Sequence, residues 1–426
     1  MTRERVRRYP ATIFVVFFVV WLGGYVLWSE DRVLDAWGKF MGNDFVAFYT
    51  GGRFLLDGRL DELYLLERQH LFQASLTASG EIAQTSPFIN PPFAAVWYAP
   101  FVAMGDYLWA LIAWCVCGLV LFAGSAKVVH EEGDEVGPRV MVAQLVLAPP
   151  FLLWLGFGQA TALVFFLLAA GYGLMRRGRW GWSGAVVGML AFKPQLALGL
   201  VLVIVGRRRW GALLAGAMIL ACWVGVGFLL SPEAMMAWWG KRAEWAAMLR
   251  EESYPAWGVC SIYGFYNLLV YPLVPWLADV LTALSSVALL GWLVRCLWRV
   301  RDAAWESDAV QAAVAIVLMC APLLAVQYFT YDLLLGVLPI WIVTRLCARR
   351  GGEATQEEAA VSPYLDAGPI LAWTALLYGV TFLAPVVIGA QVAWFEQGLG
   401  LPGVSVQIVP LTILGWSVAV KRKFLI

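Results

Sequence analysis

The sequence predicts an all-α, polytopic membrane protein. Three observations carry that expectation. Of 426 residues 61% are hydrophobic. Only 14% are charged, against about 25% in a soluble domain. The apolar residues are gathered into runs long enough to cross a bilayer, about 17–25 residues, punctuated by arginine clusters. Together these exclude a soluble enzyme, a disordered chain and a secreted disulfide scaffold. The net charge of +1 says little about partners, and no nucleic-acid partner is expected. The seven cysteines are odd in number and nearly all sit in or beside apolar runs, so they read as small hydrophobes. With only His70 and His130 in the chain, neither a histidine-ligated metal nor a histidine-based triad is expected, and no cofactor is called for.

The N-terminus reads RERVRRYP and then an apolar run over 11–28. That run exceeds the about 7–15 residues of a signal-peptide core and lacks a small-residue cleavage pattern, so it is expected to be an uncleaved first span. Further runs follow at 107–126, 140–157, 159–175, 211–230, 273–297, 308–326, 329–346, 367–390 and 404–420. With re-entrant or broken segments, about 10–12 membrane helices are expected in one domain, 1–426.

Basic residues orient the spans. Twenty-one of the 30 lie in seven clusters: Arg3/Arg5/Arg7/Arg8, Lys127/Arg139, Arg176/Arg177/Arg179, Arg207/Arg208/Arg209, Arg295/Arg299/Arg301, Arg345/Arg349/Arg350 and Lys421/Arg422/Lys423. If all face the cytoplasm, both termini do as well, and the hydrophilic stretches 29–91 and 231–266 face outward from an inner (plasma) membrane. The inner acidic stretches Glu131–Glu135 and Glu353–Glu358 read as solvated loops without chemistry. Trp180–Gly206 lies between two inward clusters yet is one apolar stretch of only 27 residues, too few for two full spans. Pro194 breaks helix at Lys193. Two short helices in a re-entrant hairpin with Lys193-Pro194-Gln195 at the tip are one solution, and two tilted short spans are the other.

Four stretches can carry chemistry. In GNDFVAFYTGGRFLLDGRLDELY, Gly42–Tyr64, apolar residues recur at helical spacing, which predicts a helix along the outer membrane surface that ends at Leu56-Asp57-Gly58. Asp44 at its start is either an N-cap or a catalytic base. FINPPFAAVWYAPF, Phe88–Phe101, holds three prolines and reads as a broken element. There Asn90 either sets a loop beside a cavity or simply turns the chain. In AFKPQLALGL, Ala191–Leu200, Lys193 costs about 2.5–3.5 kcal/mol at membrane depth and demands a partner. That partner is a carboxylate (Asp332, Asp279, Asp106 or Asp44) or an anionic ligand such as phosphate. In APLLAVQYFTYDLLLG, Ala321–Gly336, the residues Gln327, Tyr328, Tyr331 and Asp332 crowd the outward tip of a hairpin. They form either a functional cluster or part of an aromatic belt.

These stretches, in this order and followed by FKPQLALGLVLVIVGRRRW, resemble glycosyltransferase family 87, which includes polyprenol-phosphate-mannose-dependent mannosyltransferases. The resemblance covers roughly residues 10–346. It implies a GT-C architecture with an extracytoplasmic active site, a polyprenyl-phosphate-linked hexose donor (mannose-like), a glycan or glycolipid acceptor, and inversion at the anomeric carbon. By resemblance Asp44 takes the general-base position. A polyprenyl phosphate leaves without protonation, and the charge growing on it calls for a cation. Lys193 or Arg53 would supply it, with Gln195, Tyr331 and Asp332 as further donor contacts. Tyr49, Asn90 and Trp257 are candidate acceptor contacts. The competing classes are a flippase or other transporter of lipid-linked sugars and a non-catalytic binder of them. A transporter would favour inverted repeats and several mid-membrane charges. Lys193 is the only such charge found.

Overall fold

The structure, a computed structural model, describes residues 31–35, 38–251, 254, 258–352, 370–376, 379 and 404–425. The expected first span at 11–28, most of the one at 367–390, and Trp257 lie outside them. Among the described residues every regular element is helical, and pairing of the β type is limited to the isolated bridges Leu34–Phe40 and Val259–Phe329. The protein is a polytopic helical membrane protein. Among the described residues four helices are long and apolar enough to cross a bilayer: Tyr107–Val129, Trp210–Leu230, Pro275–Arg299 and Thr330–Arg350. The expected span at 140–157 forms as two helices, Pro138–Leu147 and Pro150–Phe157, which together have the length and apolarity of a span and are bent by 72°. Pro149 and Pro150 explain the break: neither has an amide hydrogen to donate, and Ala148 before them is extended, with ψ 126°.

Helix starts follow local chemistry. Proline occupies the first turn at Pro138, Pro194, Pro232 and Pro275, where the missing N–H costs nothing. The Ser231 and Ser261 hydroxyls accept from the amides of Ala234 and Gly264, as N-caps should.

Two compact units are built from this chain. One comprises Met1–Leu121, Phe151–Ala162 and Leu220–Met248; the other comprises Phe122–Pro150, Leu163–Ile219 and Leu249–Ile426. In the first unit, the expected helix forms at Phe45–Leu56, with Asp57 closing it and Gly58 at φ +68°. Nine of its twelve residues are buried, because it packs against Ala95–Val102. Two adjacent glycines permit that approach. A Cβ on Gly52 would sit 2.7 Å from a Val102 methyl, and one on Gly51 would sit 2.6 Å from the Phe88 ring. Phe48 and Tyr98 stack across the contact at 4.4 Å. The loop that follows is laced by buried glutamines: Gln73 both donates to the Ser86 carbonyl and accepts from the Ser86 amide, and Gln69 accepts from the Phe88 amide.

In the second unit, the 180–206 stretch divides as the sequence predicts: a helix Trp180–Gly188, one 3-10 turn Met189–Phe192, then a helix Pro194–Gly206. Lys193 sits in the break at φ −137°, ψ 61°. The first of these helices packs on Trp210–Leu230 through small residues four apart on both sides, Gly184/Gly188 against Ala212/Gly216. Such pairs let membrane helices touch backbone to backbone. A Cβ on Gly184 would collide with the Ala212 carbonyl, and one on Gly188 would lie 2.5 Å from the Gly216 oxygen. Gly184→Leu is therefore expected to cost more than the about 1–3 kcal/mol of ordinary overpacking, read as a lower thermal midpoint in detergent. Gly181→Leu on the same helix, where a Cβ meets nothing within 4 Å, should leave the midpoint unchanged.

Candidate active site

Asp44 occupies the N-cap position of the Phe45–Leu56 helix but makes no side-chain cap bond. Its carboxylate Oδ2 instead accepts a 2.7 Å hydrogen bond from Gln159 Nε2, and its amide donates to the Phe157 carbonyl at 3.0 Å. The junction that makes this possible needs glycine twice. Gly42 (φ +70°) and Gly158 (φ +64°) both adopt left-handed backbone, and a Cβ on Gly158 would lie 2.7 Å from that of Phe45. Two indoles fix the 157–159 segment from beneath: Trp114 donates to the Gly158 carbonyl and Trp154 to the Gln159 carbonyl, both at 2.8 Å. Asp44 is thus half-buried and held by main chain and side chain together. An acid so held has a fixed direction, which is what a proton acceptor requires.

The other first-unit candidates have different settings. Tyr49 is 3% exposed, its hydroxyl donates to the Gly105 carbonyl at 2.8 Å, and its ring stacks on Phe72. Arg53 pairs with Asp57 one turn on, at 3.0 Å, on the open side of the helix. Exposed pairs of this kind contribute little to stability. The Asn90 carbonyl accepts from Tyr64 at 2.6 Å, and that of its neighbour Ile89 accepts from Trp238. Tyr64 and Trp238 each lie beside Trp245, so an aromatic group borders the Asn90 turn.

In the second unit, the Lys193 ammonium lies over the Tyr331 ring at 5.9 Å. Phe329 stacks on Tyr331, and Tyr254 lies against Phe329. Asp332, one residue on, is 2% exposed. This aromatic wall is anchored to the preceding loop, because the Cys260 amide donates to the Tyr328 carbonyl and Val259 bridges to Phe329. Of the carboxylates considered as partners for Lys193, Asp279 is instead bonded to Arg250 at 2.8 Å. The structure therefore brings Lys193 to Tyr331 from two distant stretches, with Asp332 next in sequence to Tyr331 and Gln195 two residues past the break in the first turn of its helix.

Two features escaped the sequence. Gln159 had a visible signal: a lone glutamine after Gly158 where two apolar runs meet. The second is ionic. Glu131–Glu135 is not simply a solvated loop. Asp134 is buried between Arg176, which holds both its oxygens at 2.8 Å, and Arg345 at 3.1 Å. Arg345, fully buried, also donates to Gln311, which accepts from Tyr172 as well. Burial alone would raise the Asp134 carboxyl, but the Arg176 hydrogen bond, the Glu131 amide and the two guanidinium charges outweigh it and hold it at about 2.

Among known proteins, residues 88–325, more than half of the chain, match the family model described as glycosyltransferase family 87. The matched stretch takes in Asn90, Gln159, Lys193, Gln195 and Trp257. Asp44, Tyr49, Arg53, Tyr331 and Asp332 lie outside it. No curated protein and no solved structure matches the chain.

Proposed function

The chain belongs to glycosyltransferase family 87, and from that premise we propose that it moves a mannose-like hexose from a polyprenyl-phosphate donor to a glycan or glycolipid acceptor, with inversion, at the extracytoplasmic face of the plasma membrane. The observation that carries the reading is the setting of Asp44: a carboxylate withheld from its own helix end and oriented by a neighbouring amide. In the proposed reaction Asp44 takes the proton of an acceptor hydroxyl as that oxygen attacks the anomeric carbon. The bond from that carbon to the phosphate oxygen breaks, and the polyprenyl phosphate leaves with the electron pair. A phosphate needs no acid to leave. It needs positive charge near it as it departs, the role proposed for Lys193, with Gln195, Tyr331 and Asp332 as further donor contacts. Arg53 and Asn90 keep secondary roles in this scheme as a second cation and an acceptor contact. Trp257 is retained as an acceptor contact. Tyr49, whose ring and hydroxyl are both engaged, serves the reaction by holding the Asp44 helix.

The test is transfer by the purified protein from a panel of polyprenyl-phosphate hexoses to octyl α-mannoside, read by mass spectrometry of the product and its anomeric configuration. Release of one hexose to the acceptor with inverted configuration is the expected result. If no donor is consumed while labelled lipid crosses vesicle membranes, transport replaces catalysis as the reading. Lys193→Met is expected to raise the donor KM about tenfold or more with the thermal midpoint preserved. A folding defect with normal donor KM in the surviving protein would make Lys193 a structural cation instead.

A further inference from the structure

We propose that Gln159 is a positioning residue for the transfer reaction, orienting the Asp44 carboxylate through a hydrogen bond to one of its two oxygens. The inference rests on Asp44 being the general base, and it goes beyond that assignment by naming what aims the base.

The geometry is specific. Gln159 is 7% exposed, so its amide is committed to protein partners. Its Oε1 accepts from the Ala160 amide at 3.1 Å. That contact settles which end of the amide is which and turns Nε2 toward Asp44 Oδ2 at 2.7 Å. An amide nitrogen can only donate, so the oxygen that it meets is held as an acceptor. The backbone beneath is rigid for separate reasons: the Trp114 and Trp154 indoles, both buried, donate to the carbonyls of Gly158 and Gln159. Asp44 also binds this segment through its own amide and the Phe157 carbonyl. Asp44 is therefore held at its main-chain amide by Phe157 and at one carboxylate oxygen by Gln159, two residues of one short segment. A neutral donor suits the task. A lysine or arginine in this place would also orient the carboxylate, but would depress its proton affinity by about 1–3 pH units and blunt it as a base.

The experiment uses the panel donor that the wild type consumes, with octyl α-mannoside. Gln159→Met keeps the volume and removes the donor. It is expected to lower kcat about 10–100-fold, the scale of a misaimed catalytic group, with the donor KM within about twofold and the thermal midpoint within a few degrees. The double variant Asp44→Asn/Gln159→Met is expected to match Asp44→Asn alone within about twofold, because an aimer has no effect once its target is gone. If Gln159→Met does not fold, Gln159→Leu serves, since it too is apolar and offers no donor; the same loss of kcat at constant KM is expected. A wild-type kcat in these variants overturns the proposal. So does an effect that persists undiminished on the Asp44→Asn background, which would mark Gln159 as a fold contact only. Full activity of Asp44→Asn by itself would remove the general-base assignment, whatever Gln159 does.

Discussion

Asp44→Asn is expected to lower kcat by about 10²–10⁴-fold, the usual contribution of a general base, or about 3–5 kcal/mol of transition-state stabilisation. The donor KM should stay within about twofold and the thermal midpoint should be unchanged. The substitution is informative because the two roles open to this residue respond to it differently. Asparagine caps a helix as well as aspartate does, so an Asp44 that merely started the Phe45–Leu56 helix would tolerate the change in both stability and rate. The side chain in fact makes no cap bond and accepts instead from Gln159. An asparagine oxygen can accept that same bond, so the local geometry survives while the capacity to take a proton does not. Asp44→Glu checks the point from the other side. The charge is kept, but the carboxylate is displaced by about a bond length, and misplacement on that scale costs about 10² in rate. Full transfer by Asp44→Asn, in a reaction that the wild type performs, would remove Asp44 from the mechanism.

How much of this was legible in the sequence depended on the range of the interaction. The spans Tyr107–Val129, Trp210–Leu230, Pro275–Arg299 and Thr330–Arg350 were readable because hydropathy is additive along the chain, whereas the runs at 159–175 and 308–326 form shorter apolar helices. The breaks at Lys193-Pro194 and Pro149-Pro150 follow from proline chemistry within one or two residues. The 140–157 run is apolar enough to be expected as one span, and its two adjacent prolines mark where it bends. The Phe45–Leu56 helix was found by its period, but its burial was not. Its burial depends on Gly51 and Gly52 meeting Phe88 and Val102, partners 37 and 50 residues away. The 115-residue separation of Gln159 from Asp44 hid that partnership equally well. Lys193 and Tyr331 could each be singled out locally, as a costly charge and an interfacial aromatic; nothing in either stretch announces that one lies over the other. Charge counting by itself reveals no ionic partners. Arg176 and Arg345 were assigned to the membrane edge by type, and neither residue's own stretch signals that both converge on a single carboxylate.

That convergence supports the largest stability effect expected in this protein. Asp134→Leu should destabilise the second unit by about 3–5 kcal/mol, the cost of breaking a buried ion pair from one side. Arg345 is fully buried and Arg176 nearly so. Without Asp134 the two guanidiniums that it now separates would be left with Glu131, 3.1 Å from Arg176, and Glu306, 3.8 Å from Arg345 and 47% exposed. Neither replaces a carboxylate that binds Arg176 through both oxygens. The cost belongs to the stranded charges and not to the loss of an attraction, so removing the charges as well should relieve it. Asp134→Leu/Arg176→Met/Arg345→Met is expected to recover most of the lost thermal midpoint, as apolar replacement of buried ionic triads often does. Acid should imitate the single substitution. The folded carboxyl titrates at about 2, below its unfolded value of about 3.9, so its stabilisation is complete above pH 4–5 and is lost as the pH falls toward and through about 2. Wild-type protein in detergent should therefore lose midpoint between about pH 4 and 2 more steeply than the triple variant, which has no such group to protonate. Equal acid sensitivity in the two proteins, or a triple variant as unstable as Asp134→Leu, would mean that the cluster acts by packing alone.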